Sequence, residues 1–247
     1  MAGKAASRAA DKAGPRTLTI DIGGTGIKMM TLDAQARPLN ERARELTPQP
    51  ATPDAVLAVC ARMLAAQPAF DRVAVGFPGV VQHGVVRTAP NLGTEAWRGF
   101  DLRAAIQKLA HKPTRAINDA DLQGYGVIRG EGVELVLTLG TGLGSGLYTA
   151  GRLVDNLELG HHPFRKGRTY EQSVGDAARK RVGKRRWQKR VRRMIDTLEP
   201  IFNYDVLYLG GGNAEDLDDD LPANVKVYTP AQGLAGGVRL WDMDPER

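Results

Sequence analysis

The chain has 247 residues, 42% of them hydrophobic, and a formal net charge of +6. That length supports a sizeable core in one large domain or two lobes. The single cysteine, Cys60, excludes an internal disulfide and a structural Cys/His zinc site, and points to a reducing, cytoplasmic setting.

No apolar run reaches the roughly 20 residues of a membrane helix. The basic balance favours polyanionic partners without choosing among them. Residues 1–16, "MAGKAASRAADKAGPR", are small, polar and basic, and read as a disordered tail rather than a secretory signal. "TLTIDI" (17–22) reads as a strand, "KMMTLD" (28–33) as its hairpin partner, and 38–46 as a third strand. Thr52 and Pro53 start a helix, with Val56, Val59, Cys60, Met63 and Leu64 on one apolar face. Strands follow at 72–77 and 115–119, separated by a helix at 102–110, and another helix starts near Ala120. The pattern then restarts: a strand at 134–139, a glycine loop at 140–146, and a returning hairpin at 147–154. A long helical region covers 171–198, with Trp187, Val191, Met194, Ile195 and Leu198 as its apolar stripe and Pro200 after its end. Strands at 205–212 and near 224–228 flank an acidic run, "DLDDD" (216–220), read as a solvated loop; "QGLAGGVRLW" is a final helix.

Strand, glycine loop and strand thus occur twice, each time followed by helices and further strands. The class is α/β, with mixed sheets duplicated in two lobes, 17–121 and 122–247, and a ligand cleft between them. Glycine-rich turns occur at 23–26, 140–146 and 210–212, each after an apolar strand. Backbone N–H groups in such turns converge on anions, and three of them point to phosphate. No lysine fits the Walker spacing, since Lys28 follows Ile27 and Lys184 precedes Arg185. The dinucleotide fingerprint fails too, because its last glycine falls on Ser145 or Leu147.

Taken together, the motifs resemble the ROK family of actin-like, ribonuclease H-like sugar kinases. "DIGGTGIK" resembles its first phosphate loop, "GFPGVV" its G-x-P-G segment, and "APNL" with Trp97 its P-N-L…W element. "INDAD" is similar to its catalytic segment, "LTLGTGLGSG" to its second phosphate loop, "ELGHH" to its sugar motif and "YLGGG" to its adenosine-side loop. The order is the family's, from residue 19 to the C-terminus. The cysteine-rich zinc motif of most members is missing, as in the polyphosphate-using glucokinases of the family, which the chain resembles most.

The resemblance implies phosphoryl transfer to the 6-hydroxyl of glucose from polyphosphate, with ATP as a possible second donor. A strictly ATP-dependent kinase for glucose, mannose or fructose and a non-catalytic sugar-sensing or nucleic-acid-binding relative are the alternatives. Asp119 would be the base; from the residues alone it is equally a helix-capping acid. The resemblance makes Asn91, Asn118, Glu158, His161 and Glu171 sugar ligands. It gives phosphate or nucleotide contacts to Asp21, Gly23, Gly24, Thr25, Gly26, Lys28, Gly140, Thr141, Gly142, Gly144, Gly211 and Gly212. Asp21 would also serve Mg²⁺, directly or through water, while Lys28 faces either phosphate or solvent. Within the basic stretch 179–193, Lys184, Arg185, Arg186, Lys189, Arg190 and Arg193 suit a polyphosphate track or a solvated face. The first loop begins near residue 21, so no winged helix-turn-helix and no nucleic-acid partner are expected; a homodimer is.

Overall fold

The computed structural model describes residues 14–218 and 220–243. The expected tail falls outside them except at its end, where Arg16 is held by Asp71: its backbone N–H donates at 2.7 Å and its guanidinium at 3.4 Å.

The first half begins with β1 (Thr17–Ile22), which pairs antiparallel with β2 (Gly26–Leu32), and β2 with β3 (Ala43–Leu46). Helix α1 (Pro53–Ala65) follows, its start capped by the Thr52 side chain, which accepts from the Ala55 N–H at 3.4 Å. Strand β4 (Arg72–Phe77) lies parallel to β1. A small hairpin, β5 (Val81–Gln82) and β6 (Val85–Val86), precedes α2 (Thr94–Trp97) and α3 (Leu102–Ala110). Strand β7 (Thr114–Asn118) completes a sheet of order β3-β2-β1-β4-β7. Its core packs β1, β2 and β4 against α1 and α3, around Val56, Cys60, Phe77, Trp97 and Ile106.

Helix α4 (Asp119–Val127) passes between the sheets, with Leu122 and Tyr125 packed among Ala74, Val136, Tyr148 and Tyr208. The second half repeats the first. Strands β8 (Val133–Leu139), β9 (Leu143–Thr149) and β10 (Arg152–Val154) form an antiparallel meander. A short hairpin, β11 (Pro163–Arg165) and β12 (Arg168–Thr169), leads into α5 (Tyr170–Val174), α6 (Asp176–Val182) and α7 (Lys184–Phe202). Parallel strands β13 (Val206–Gly210) and β14 (Val225–Val227) give the order β10-β9-β8-β13-β14, the same plan as the first sheet. The chain closes with α8 (Pro230–Leu234) and α9 (Gly236–Arg239). These do not stay with the second sheet: Leu234 and Val238 pack on Met30 and Leu32 of β2. No helix among the described residues is long and apolar enough to cross a membrane.

Several element boundaries differ from the sequence expectation. The long helix at 171–198 is three helices, broken at Gly175 and Gly183; the φ of +78° at Gly183 is one that residues with a Cβ rarely adopt. Pro200 lies inside α7, whose last turn runs on to Phe202. The proline leaves the Asp196 carbonyl without its helical N–H donor, at a residue that is exposed. The second glycine loop spans only residues 140–142, because β9 starts at Leu143 and takes in Gly144 and Gly146. The final helix is split in two at Ala235. The stripe of α7 is as expected: Trp187, Val191, Met194, Ile195 and Leu198 are all buried. Such side chains contribute roughly 1.5–3 kcal/mol each on burial, so the stripe, not the arginines around it, holds the helix down.

Candidate active site

A cavity of about 530 Å³ opens between the sheets, lined by residues beyond the ends of β1, β7, β8 and β13. Ends of strands in open α/β sheets are where ligands gather. The three glycine turns meet there through Gly23, Gly24, Thr25, Gly140, Thr141, Gly142, Gly211 and Gly212. The first two turns are closed alike: the Gly23 N–H donates to Gly26 O at 3.0 Å and the Gly140 N–H to Gly142 O at 3.1 Å. Those two amides are therefore spent on the turns, and the tips, Gly24 with Thr25 and Thr141 with Gly142, are what the loops present. A Cβ on Gly24 would stand 3.3 Å from the Cβ of Asn91 and 3.6 Å from the Thr141 side chain. The two loop tips thus lie within side-chain contact of each other.

A row of charges crosses the first sheet beside the loop. The register aligns Asp21 with Lys28 and Lys28 with Arg44, so all three side chains stand on one face. The Lys28 ammonium donates to Asp21 Oδ2 at 3.0 Å. Lys28 lines the cavity, between a cleft acid and an edge arginine in the cross-strand row. Asp21 is 6% exposed, and its Oδ1 is buried without a hydrogen-bond partner. Gly26 does not reach the cavity; it lies under Arg44, whose Nε would be 3.0 Å from a Cβ there. Arg42 and Arg44 do line the cavity. They escaped the sequence reading, although their spacing of two about Ala43 marks one face of a strand.

Asp119 stands at the first position of α4, not at the end of β7. Asn118 is the capping residue: its Oδ1 accepts from the N–H groups of Ala120 at 2.8 Å and Asp121 at 3.1 Å, and the Ala120 N–H is shared with Asp119 Oδ1 at 2.8 Å. Asp119 itself lines the cleft. Desolvation, helped by the charge of Asp21 and opposed by Lys28, pushes its pKa up to about 8.

Asn118 donates through Nδ2 to Gly79 O at 3.2 Å and to Glu158 Oε1 at 3.4 Å, so its amide is shared between helix cap and cleft. Glu158 in turn meets His161, Oε2 to Nε2 at 3.3 Å. Burial raises the Glu158 pKa, with His161 opposing and Glu171 adding to the rise. Glu171, on α5, accepts from the Leu143 N–H at 3.4 Å. Asn91 lines the same wall. The arrangement offers one base candidate, a group of carboxylate, amide and imidazole suited to vicinal hydroxyls, and anion-binding loops from both sheets. Gln123, Thr138, Asp176, Asn213 and Glu215 also line the cavity and were not singled out in the sequence.

The basic track is elsewhere. None of Lys184, Arg185, Arg186, Lys189, Arg190 and Arg193 is among the described residues that line the cavity. The acidic run is exposed at Asp218 and Asp220, yet its described acids are paired. Asp216 pairs with Lys184 at 3.1 Å and with Arg179, while Asp218 and Asp220 pair with Arg192 at 2.7 and 3.0 Å.

The ROK family model matches residues 17–172. A polyphosphate glucokinase of Mycobacterium tuberculosis (strain CDC 1551 / Oshkosh) is 34% identical over 232 residues, which cover 89% of this chain and 87% of that one. That of Mycobacterium leprae (strain TN) is 35% identical over 217 residues, covering 84% of this chain and 66% of that protein's length. Among solved structures, an inorganic polyphosphate/ATP-glucomannokinase from Arthrobacter sp. strain KM superposes with a TM-score of 0.81 at 32% identity, covering 92% of this chain and 99% of that one.

Proposed function

The chain belongs to the ROK family, and on that premise we propose that it is a glucokinase. It transfers the terminal phosphoryl group of polyphosphate, with ATP as a second donor, to the 6-hydroxyl of glucose. The observation that carries this reading is the convergence of Asp119, the group of Glu158, His161 and Glu171, and the three glycine turns on one cavity.

In this reading Glu158, His161, Glu171, Asn91 and the Nδ2 of Asn118 hold the sugar's hydroxyls and fix the 6-hydroxyl before Asp119. Asp119 takes the hydroxyl proton as the oxygen attacks the terminal phosphorus. The bond from that phosphorus to the bridging oxygen breaks, and the donor leaves one phosphate shorter. A base with a pKa near the working pH suits the task, contributing about 10²–10⁴-fold. Amides at the loop tips, with Lys28, stabilise the charge on the transferred group, and Arg44 at the sheet edge helps to capture the donor. Gly211 and Gly212, with Pro230 and Leu234 beyond them, form the end of the cleft where an adenosine would lie.

Family kinases use Mg²⁺, and the orphaned Asp21 Oδ1 fits a hard cation or its water. No group of three or more metal-ligating side chains occurs among the described residues. Magnesium at phosphoryl-transfer sites takes one or two carboxylates and the donor's own oxygens, so Asp21 suffices. Bound there, the ion would neutralise donor phosphate charge. The homodimer and the cytoplasmic setting expected from the sequence belong to the same proposal.

The test is direct. Purified protein receives glucose with polyphosphate or with ATP, and glucose 6-phosphate is measured. Product with both donors is expected. Product with ATP alone would overturn the polyphosphate assignment, and product with neither would overturn the kinase.

A further inference from the structure

The polar side chains of α7 fall on two flanks of its buried stripe. With about 3.6 residues per turn, Gln188 and Arg192 lie on one side, and Arg186, Arg190 and Arg193 on the other. The first flank is neutralised: Arg192 meets Asp218 and Asp220, and Gln188 donates to Asp216 O at 2.7 Å. The second flank faces α5 and the β11–β12 hairpin, and it is not.

There, arginines from four elements gather. Arg190 donates to Ser173 O at 3.3 Å, and Arg181 of α6 donates to Gln172 O at 3.4 Å. Arg165 and Arg168 stand opposite each other across the hairpin. Burial lowers the pKa of Arg190, and the charges of Arg181, Arg168 and Arg165 lower it further. Among the described residues no ion pair joins any of the four to a carboxylate, although carboxylates neutralise Arg179, Lys180, Lys184 and Arg192 nearby. Like charges directly opposite in a hairpin destabilise it, so the cluster works against the fold unless an anion joins it. Guanidinium forks match phosphate oxygens two at a time. Two of the four are already fixed on successive carbonyls, which lowers the cost of ordering them around a ligand.

We propose that Arg165, Arg168, Arg181 and Arg190 form a binding site for the distal part of a linear polyphosphate chain whose end lies in the cleft. The site deepens the donor reading above and rests on it. Its position fits: Glu171 of α5 lines the cleft, while the carbonyls of Gln172 and Ser173 in the same short helix anchor the cluster. Polyphosphate suits it better than nucleic acid. Successive phosphates share single bridging oxygens, with no sugar between them, so their charge is dense enough for guanidiniums packed this closely. The neighbouring rings, Phe164 and Tyr170, stack on each other with centroids 4.4 Å apart, and Tyr170 is buried, so they offer no platform for bases.

The test compares wild type with an Arg165→Ala/Arg168→Ala variant, using long-chain polyphosphate, tripolyphosphate and ATP as donors. Binding of long-chain polyphosphate is also measured directly, by calorimetry. The variant should bind the long chain about tenfold more weakly, as expected for the loss of two charge-assisted contacts. Its KM for the long chain should rise in step, with the KM values for tripolyphosphate and ATP unchanged. Unaltered long-chain binding, or equal losses with all donors, would overturn the proposal. Displacement of the long chain by an RNA oligomer at equal phosphate concentration would reassign the cluster to nucleic acid. Should wild type bind the long chain through these arginines yet make no product from it, the donor reading fails and the site stands. Glucose binding and thermal unfolding show whether the variant is folded.

Discussion

The two halves of the molecule share one strand order and one hairpin plan, yet they present different chemistry to the cleft. Counting back from the hairpin turn, Asp21 and Lys28 of the first half correspond to Thr138 and Gly144 of the second. One half puts an acid and an ammonium where the other puts a hydroxyl and bare backbone. The proposed base follows the same division: Asp119 comes directly after the last strand of the first sheet, and α8, with no acid, after the last strand of the second. In the proposed reading, duplication supplies two anion-binding turns, while the proton chemistry lies with the first half. The second half contributes the cavity wall of Glu158, His161 and Glu171, the sugar side in the same reading.

The largest test of this division is Asp119→Asn. If the base lies there, turnover should fall by about 10²–10⁴-fold, while glucose binding, measured by calorimetry, stays within about threefold. Near-normal turnover would remove Asp119 as base and end the asymmetry. The same variant has a stability signature. The folded pKa of Asp119, about 8, lies above the ordinary carboxylate value, so the folded state holds an extra proton between the two. Its contribution to stability is full below the unfolded value and is lost as pH rises through about 8. Unfolding followed across that range should show a shallower loss in Asp119→Asn than in wild type.

The pH dependence of catalysis separates the roles within the charged row. The base must be ionised, so kcat/KM for glucose should rise with pH through about 8. Lys28 holds the Asp119 pKa down. Lys28→Met should therefore move the rising limb to higher pH, in addition to weakening donor binding. A limb that stays in place would mean that Lys28 serves the donor alone.

What could be read in the chain and what could not divides along locality. Strand, glycine turn and strand are contiguous, and so are Glu158 with His161 and the "IND" that carries Asp119; their place in the cleft followed from neighbours in sequence. The breaks at Gly175 and Gly183 were visible only as glycines inside a helical pattern, which helices tolerate at a cost of about 1 kcal/mol. Tertiary packing, with Trp187 donating to Val174 O at 2.6 Å across the break, decided the matter. The pairing of Arg192 with Asp218 and Asp220 joins segments far apart in the chain, so a basic helix and an acidic loop each looked solvated alone. Arg44 belongs to the site only through the register of β2 on β3. No local pattern states that register, although alternation restricts it to two choices of face.

The smallest expected effect is the one most specific to the comparison. Arg44 extends the charged row to the edge of the first sheet, whereas in the second half β10 pairs only with Leu147–Thr149 of β9 and does not reach Gly144. Arg44 touches no sugar ligand, and it lies on an exposed strand. Arg44→Ala should raise the KM for polyphosphate and for ATP about three- to tenfold, the loss of one partly exposed charge-assisted contact. The KM for glucose and kcat should be unaltered. Arg44→Lys, which keeps the charge and loses the fork, should recover part of the donor affinity. If kcat fell instead, Arg44 would act on the transferred group itself, and the charged row would belong to the transition state rather than to donor capture. If neither constant moved, the edge strand would lie outside the donor's path, and the first half's share of phosphate binding would shrink to Lys28 and the loop tip.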